Sequence, residues 1–125
     1  MPEQIHTDDA FDSTSPYSQA IKHGDTVYVA GQVPLDPDTG ELVGEDVQEQ
    51  TEQVFENMTA ILDAAGTSLD NVVKATVFLT DIDDFDAFNE VYAEHMPEPR
   101  PARSAVEVAD LAGDFVVEVE VIAAV

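Results

Sequence analysis

"DFVVEVEVIAAV", residues Asp114 to Val125, alternates with a period of two, and its two sides differ in kind. Phe115, Val117, Val119, Val121 and Ala123 form a continuous apolar side. Val116, Glu118, Glu120, Ile122 and Ala124 on the other side mix aliphatic residues with carboxylates. Successive strand residues point to opposite faces, so one face of this strand belongs under a core layer and the other is only partly covered.

Two helical patterns supply that layer. "DVQEQTEQVFENMTAILDAAG" (Asp46 to Gly66) carries an apolar stripe through Val47, Val54, Met58, Ile61, Leu62 and Ala65. Asp46 followed by Glu49 is a capping-box-like start, and Gly66 is a C-terminal stop. "DDFDAFNEVYAEHM" (Asp83 to Met96) is a shorter amphipathic helix with Phe85, Phe88, Val91 and Tyr92 inward.

Further strands read as "DTVYVAGQ" (Asp25 to Gln32), "NVVKATVFLTD" (Asn71 to Asp81) and "ARSAVEVADL" (Ala102 to Leu111), with "PYSQAIKHG" pairing before Tyr28. In Asn71 to Asp81 the core side is Val73, Ala75, Val77 and Leu79. In Ala102 to Leu111 it is Ser104, Val106 and Val108, leaving Arg103, Ala105 and Glu107 facing away. The expectation is an α/β (α+β) sandwich, one domain over residues 1–125, with about six strands and two helices on one sheet face. The uncovered, half-apolar face invites oligomerisation. A hairpin through "DLAGD" would place Arg103 and Glu118 opposite or diagonal on that face.

Composition narrows the function. Four Lys and Arg against 27 Asp and Glu give a formal charge of −23, while 44% apolar content fits a folded chain. Such a surface repels itself unless salt screens it, with a Debye length of about 3 Å near 1 M, and reads as adaptation to a salty cytoplasm. Four cations make no basic footprint, which argues against nucleic acid as a partner. Without cysteine there is no disulfide, thiolate metal site or thiol nucleophile. "DPDTGE" (Asp36 to Glu41) lacks EF-hand spacing and reads as a turn rather than a calcium loop. The N-terminus shows no signal peptide and no stretch reaches membrane-span length, so a soluble, cytoplasmic protein is expected.

Several stretches together resemble the Rid family (reactive intermediate deaminases, also called the YjgF or L-PSP family). They are "SPYSQAI" (Ser15 to Ile21), "VYVAGQVPLDPDTGE" (Val27 to Glu41), "VVKATVFLTDIDDFDAFNEVY" (Val72 to Tyr92), and "PARSAVEVADL" with "VEVEVIA" (Pro101 to Ala123). The resemblance implies a chorismate-mutase-like fold, a homotrimer with sites between subunits, and no metal or organic cofactor. It implies hydrolysis of enamine and imine intermediates, such as 2-aminoacrylate, to 2-keto acids and ammonia. A non-catalytic keto-acid sensor and an endoribonuclease or translation inhibitor are the rival family-style roles, the latter opposed by the charge.

Residue by residue, the resemblance makes Arg103 the grip on the substrate carboxylate, a task suited to a permanently charged guanidinium fork. Its alternative is a salt bridge to Glu107 or Glu118. Glu118 matches the glutamate that positions or activates the hydrolytic water; burial would raise its pKa and a nearby Arg103 would lower it. Tyr17 matches a site-lining tyrosine, Asn89 a helix asparagine near the site, and Gly31 a point where main chain approaches the ligand. Ala30 stands where many members have serine, and Ala105 where many have cysteine; both remove polar contacts. Arg100 reads as a rim or salt-bridge residue, Lys74 as pointing away from the core, and His6, His23 and His95 as surface or packing residues.

Overall fold

The computed structural model describes residues 2–125. Its strands are β1 (Glu3–Ile5), β2 (Ala20–His23), β3 (Thr26–Gln32), β4 (Val72–Leu79), β5 (Ala102–Glu107) and β6 (Val117–Ala124). All six join one sheet in the order β1-β2-β3-β6-β4-β5. Helix α1 (Val47–Ala64) links β3 to β4, and α2 (Phe85–His95) links β4 to β5. Only β4 and β5 are parallel neighbours, as a helical crossover requires. β6, the strand with two unlike sides, runs antiparallel to both β3 and β4 near the middle of the sheet.

Both helices cover one face. Val117, Val119, Val121 and Ala123 of β6 are buried with Val54, Phe55, Met58, Ile61 and Leu62 of α1 and Phe88 and Tyr92 of α2. The other side of β6 alternates between half-buried Glu118 and Ile122 and exposed Glu120 and Ala124, as its pattern predicts. Asp46 caps α1 by accepting from Glu49 N–H at 2.9 Å, but Glu49 Oε1 reaches back to Glu45 N–H (3.1 Å), so the reciprocal bond lands one residue early. Gly66, at φ +82°, ends the helix while Thr67 N–H returns to the Leu62 carbonyl. The Asp36 carboxylate accepts from Asp38 and Thr39 N–H and closes the turn over Asp36 to Glu41.

Three expectations about sidedness are corrected. There is no β5–β6 hairpin, because β4 lies between them. The connection wraps around the end of β4 instead: Val108 N–H bonds Leu79 O and Thr80 N–H bonds Val116 O. The faces of β5 are also reversed. Arg103 and Ala105 register with Ala75 and Val77, whose side chains are core, so they point to the helix face. Ser104 and Val106 lie on the open face, where Val106 is 45% exposed and Lys74 Nζ approaches Ser104 Oγ at 3.4 Å. Lastly, Val73 is exposed and Val72 buried, because the register between β4 and β6 slips by one residue between Val72 and Lys74. Such a bulge flips the side-chain parity on either side of it.

Candidate functional site

A cleft of about 440 Å³ opens beside β3 and β6, and Tyr17, Ala30, Gly31 and Glu118 all line it. A second irregularity shapes its floor. Between Val29 and Gln32, β3 carries an extra residue relative to Val121 and Val119 of β6, so Ala30 and Gly31 sit on a bulge. Bulges re-aim side chains next to sites, and here the Glu118 carboxylate folds over the Gly31 main chain. A Cβ on Gly31 would collide with Glu118 Oε2 and stand 2.7 Å from Glu118 Cδ. Glycine at this position is a steric requirement of the carboxylate's placement.

Glu118 is half-buried, and its pKa is raised above the ordinary 4.5, first by burial and then by the charge of Glu120. The far wall comes from the loop after β3. Buried Asn57 of α1 donates to the Val33 and Leu35 carbonyls at 3.1 and 3.0 Å, fixing these two lining residues. Phe11 and Phe115 add aromatic surface, and the hydroxyls of Ser13, Ser15 and Tyr17 supply polar groups.

Arg103 is elsewhere. On the helix side of edge strand β5, its Nη1 donates to Asn89 Oδ1 at 2.7 Å. Its guanidinium carbon lies 4.7 Å from the Tyr92 ring centroid and 5.4 Å from that of Phe85. Among the described residues it forms no ion pair, with Glu107, Glu118 or any other carboxylate. Glu107 instead accepts from Ile82 N–H. Asn89 and two aromatic rings orient the guanidinium without neutralising it, leaving donors of its fork for an anion.

The expected site residues therefore form two groups. Tyr17, Ala30, Gly31 and Glu118 share the cleft, whereas Arg103, Asn89 and Ala105 sit at the other edge of the sheet, with Arg103 and Glu118 on opposite faces. The expectation that one subunit brings Arg103 and Glu118 together is overturned, since the β4 register dictates the face of Arg103. Phe85 and Tyr92, read from sequence as core alone, are also the bed of Arg103. Their spacing with Asn89, at positions 85, 89 and 92, is one helical stripe and was a usable signal. The Tyr92 hydroxyl is buried without a hydrogen-bond partner among the described residues; burial raises its pKa, opposed by Arg103 and Arg100.

Arg100 has a different job. Its Nε donates to the Met96 carbonyl at 2.8 Å and its Nη2 to that of Ala93 at 3.4 Å, so it closes the C-terminal end of α2. His6 contacts Asp12 and Asp8, and His95 pairs with Glu52 while stacking on Phe55. No helix of the described residues is long and apolar enough to cross a membrane.

Comparison with known proteins assigns this α+β arrangement to a class. A family model described as Endoribonuclease L-PSP matches residues 7–125. A RutC family protein of Pyrococcus horikoshii is 54% identical over 123 residues, covering 98% of each chain. Reactive Intermediate Deaminase A, chloroplastic, of Arabidopsis thaliana is 46% identical over 97% of this chain and 65% of its own length. Among solved structures, RidA of an Antarctic Psychrobacter superposes with a TM-score of 0.95 at 50% identity, covering 98% of this chain and 99% of its own. TdcF of E. coli, solved with bound serine, superposes at 0.91 and 41% identity, with 98% of both chains covered. The chain belongs to the Rid (YjgF/L-PSP) family, which includes reactive intermediate deaminases.

Proposed function

We propose that this protein hydrolyses short 2-imino and 2-enamino acids to 2-keto acids and ammonia, in clefts formed between the subunits of a homotrimer. The observation that carries the reading is the separation of two complementary half-sites. One face holds an oriented guanidinium with no ion pair among the described residues; the other holds a half-buried carboxylate in a cleft that no described lysine or arginine lines. A second copy placing its Arg103 at the mouth of the Glu118 cleft completes both. The half-apolar sheet face, with Val73 and Val106 exposed, is the surface such copies would cover. That TdcF was solved with bound serine supports a small carboxylate-bearing ligand.

In the completed site, Arg103 holds the substrate carboxylate and Tyr17 hydrogen-bonds the substrate from the cleft wall. An enamine first gains a proton at carbon and gives one up from nitrogen, becoming its imine tautomer. Glu118 then accepts a proton from water as the water oxygen bonds to the imine carbon, and passes it to nitrogen. The carbinolamine expels ammonia as the C=O bond forms, so one imine and one water yield one keto acid and one ammonia. Positioning and proton transfer are the chemistry required, and neither Ala30 nor Ala105 takes part in it.

The test generates 2-aminoacrylate with a dehydratase in high salt and follows imine decay. Wild type should accelerate it, and Arg103→Ala should remove the acceleration while leaving the fold intact; unchanged acceleration would sink the assignment. Bound serine in TdcF also favours a second reading, a keto-acid sensor. Binding of 2-ketobutyrate without acceleration would select that reading. RNA cleavage is disfavoured by the −23 charge.

A further inference from the structure

The P-Y-S-Q motif contains a residue that the proposed chemistry leaves unused. Gln19 is 3% exposed and does not itself line the cleft, yet its amide is spent entirely on one segment of main chain. Gln19 Oε1 accepts from Thr7 N–H at 2.8 Å. Its Nε2 donates to the carbonyls of Thr7 (3.0 Å), Phe11 (3.1 Å) and Ala10 (3.4 Å). The backbone carbonyl of Gln19 accepts from Ala30 N–H at 2.9 Å, on the bulge beneath the cleft. One residue thus ties the chain at 7–11, the start of β2 and the bulged end of β3.

What lies between these ties is the polar wall. Residues 11–18 belong to no strand or helix, and Phe11, Ser13, Ser15 and Tyr17 all line the cleft. The visible bonds within the segment are local, from Tyr17 N–H to Ser15 O and from Ser15 N–H to Ser13 Oγ. The His6–Asp12 contact is exposed, and exposed pairs contribute little. The segment is a compact loop whose ends are brought together by the buried Gln19 amide. Every side-chain hydroxyl that lines the cleft is carried on it.

We propose that Gln19 is a positioning residue for this wall, holding Tyr17, Ser13 and Ser15 at the cleft by clasping the main chain at 7–11. Its effect on turnover rests on the deaminase reading; its effect on the loop does not. A buried amide suits the task because it offers an acceptor and two donors at once, which no hydrocarbon or carboxylate of that size does.

The experiment compares wild type with Gln19→Leu and Gln19→Glu, by backbone amide exchange and by imine-hydrolysis kinetics. In Gln19→Leu, exchange should quicken by about tenfold or more over residues 7–18, with β3, β4 and β6 unchanged. KM should rise roughly tenfold with kcat held within about threefold, because the wall binds substrate and transition state alike. Gln19→Glu should lose protection at neutral pH, where its carboxylate faces three carbonyl oxygens. It should regain part of it in acid, where the protonated group donates again; Gln19→Leu should show no such recovery. Unchanged exchange in both variants overturns the proposal, as does a loss spread evenly over the sheet or a fall confined to kcat. If wild type fails to accelerate imine decay, the deaminase reading falls, and the exchange pattern still decides the role of Gln19.

Discussion

Arg103 shows how a cation is kept available in a chain with 27 acids. Its contacts are an amide oxygen and two π faces, groups that attract a guanidinium without cancelling its charge. Glu118 is the complementary case, a carboxylate pressed over Gly31 with no lysine or arginine among the described residues of its cleft, whose pKa is displaced upward by burial and by Glu120. The sign of that shift has a consequence for activity. In the proposed mechanism Glu118 acts in its ionised form, so acceleration should climb as pH rises through the Glu118 titration, which burial and Glu120 displace upward within one subunit. If a neighbouring subunit's Arg103 faces Glu118, removing the cation disfavours ionisation further. Carboxyl NMR titration of Glu118 should therefore move to higher pH in Arg103→Ala; an unmoved titration would place the two groups apart. Both residue types were legible in the sequence as chemistry. Their separation was not, because Ser104, Ala105 and Val106 are too small and mixed to reveal which side of β5 is covered.

At the level of single elements, helix limits were the most readable feature, since capping is local. Asp46 and Gly66 act within a few residues of themselves, and the structure places them where the sequence puts them. Arg100 was less readable, because carbonyls at Ala93 and Met96 accept from it only once the chain after α2 doubles back. These two caps separate stability from activity. Asp46→Ala and Arg100→Ala should each lower unfolding free energy by about 1 kcal/mol, a shift of roughly 4 °C in Tm, with imine hydrolysis retained. Arg103→Ala should do the reverse. A loss of turnover in Arg100→Ala at undiminished stability would move Arg100 into the site. The bulges at Ala30–Gly31 and Val72–Val73 had no signal beyond a glycine, since each is defined against β6 and not within its own strand.

The whole molecule carries the question of assembly. A −23 surface repels its own copies, so subunits that bury Glu118 clefts against one another should depend on screening. Light scattering should report a trimer in 2 M salt that loosens at about 0.1 M. The same dependence permits a complementation test. Arg103→Ala and Glu118→Gln, each inactive alone, can be mixed in low salt and returned to high salt. If every site takes Arg103 from one subunit and Glu118 from the next, roughly a quarter of randomly formed interfaces regain both groups. Recovery of activity toward that fraction supports the shared cleft; no recovery with verified mixed trimers rejects it.

Local pattern was sufficient for whatever depends on neighbours in the chain. The period-two alternation of Asp114 to Val125 determined a strand with one core face, and the helical stripes determined the layer above it. The motif resemblance implied an anionic small-molecule ligand and the residues expected to meet it. The tertiary structure alone decided that β4 separates β5 from β6, that Arg103 faces the helices, and that the two half-sites cannot meet within one subunit. The physical reason is that an edge strand inherits its face from the register of the strand it pairs with. Arg103 points where Ala75 points, and β4 lies a helical crossover away in sequence.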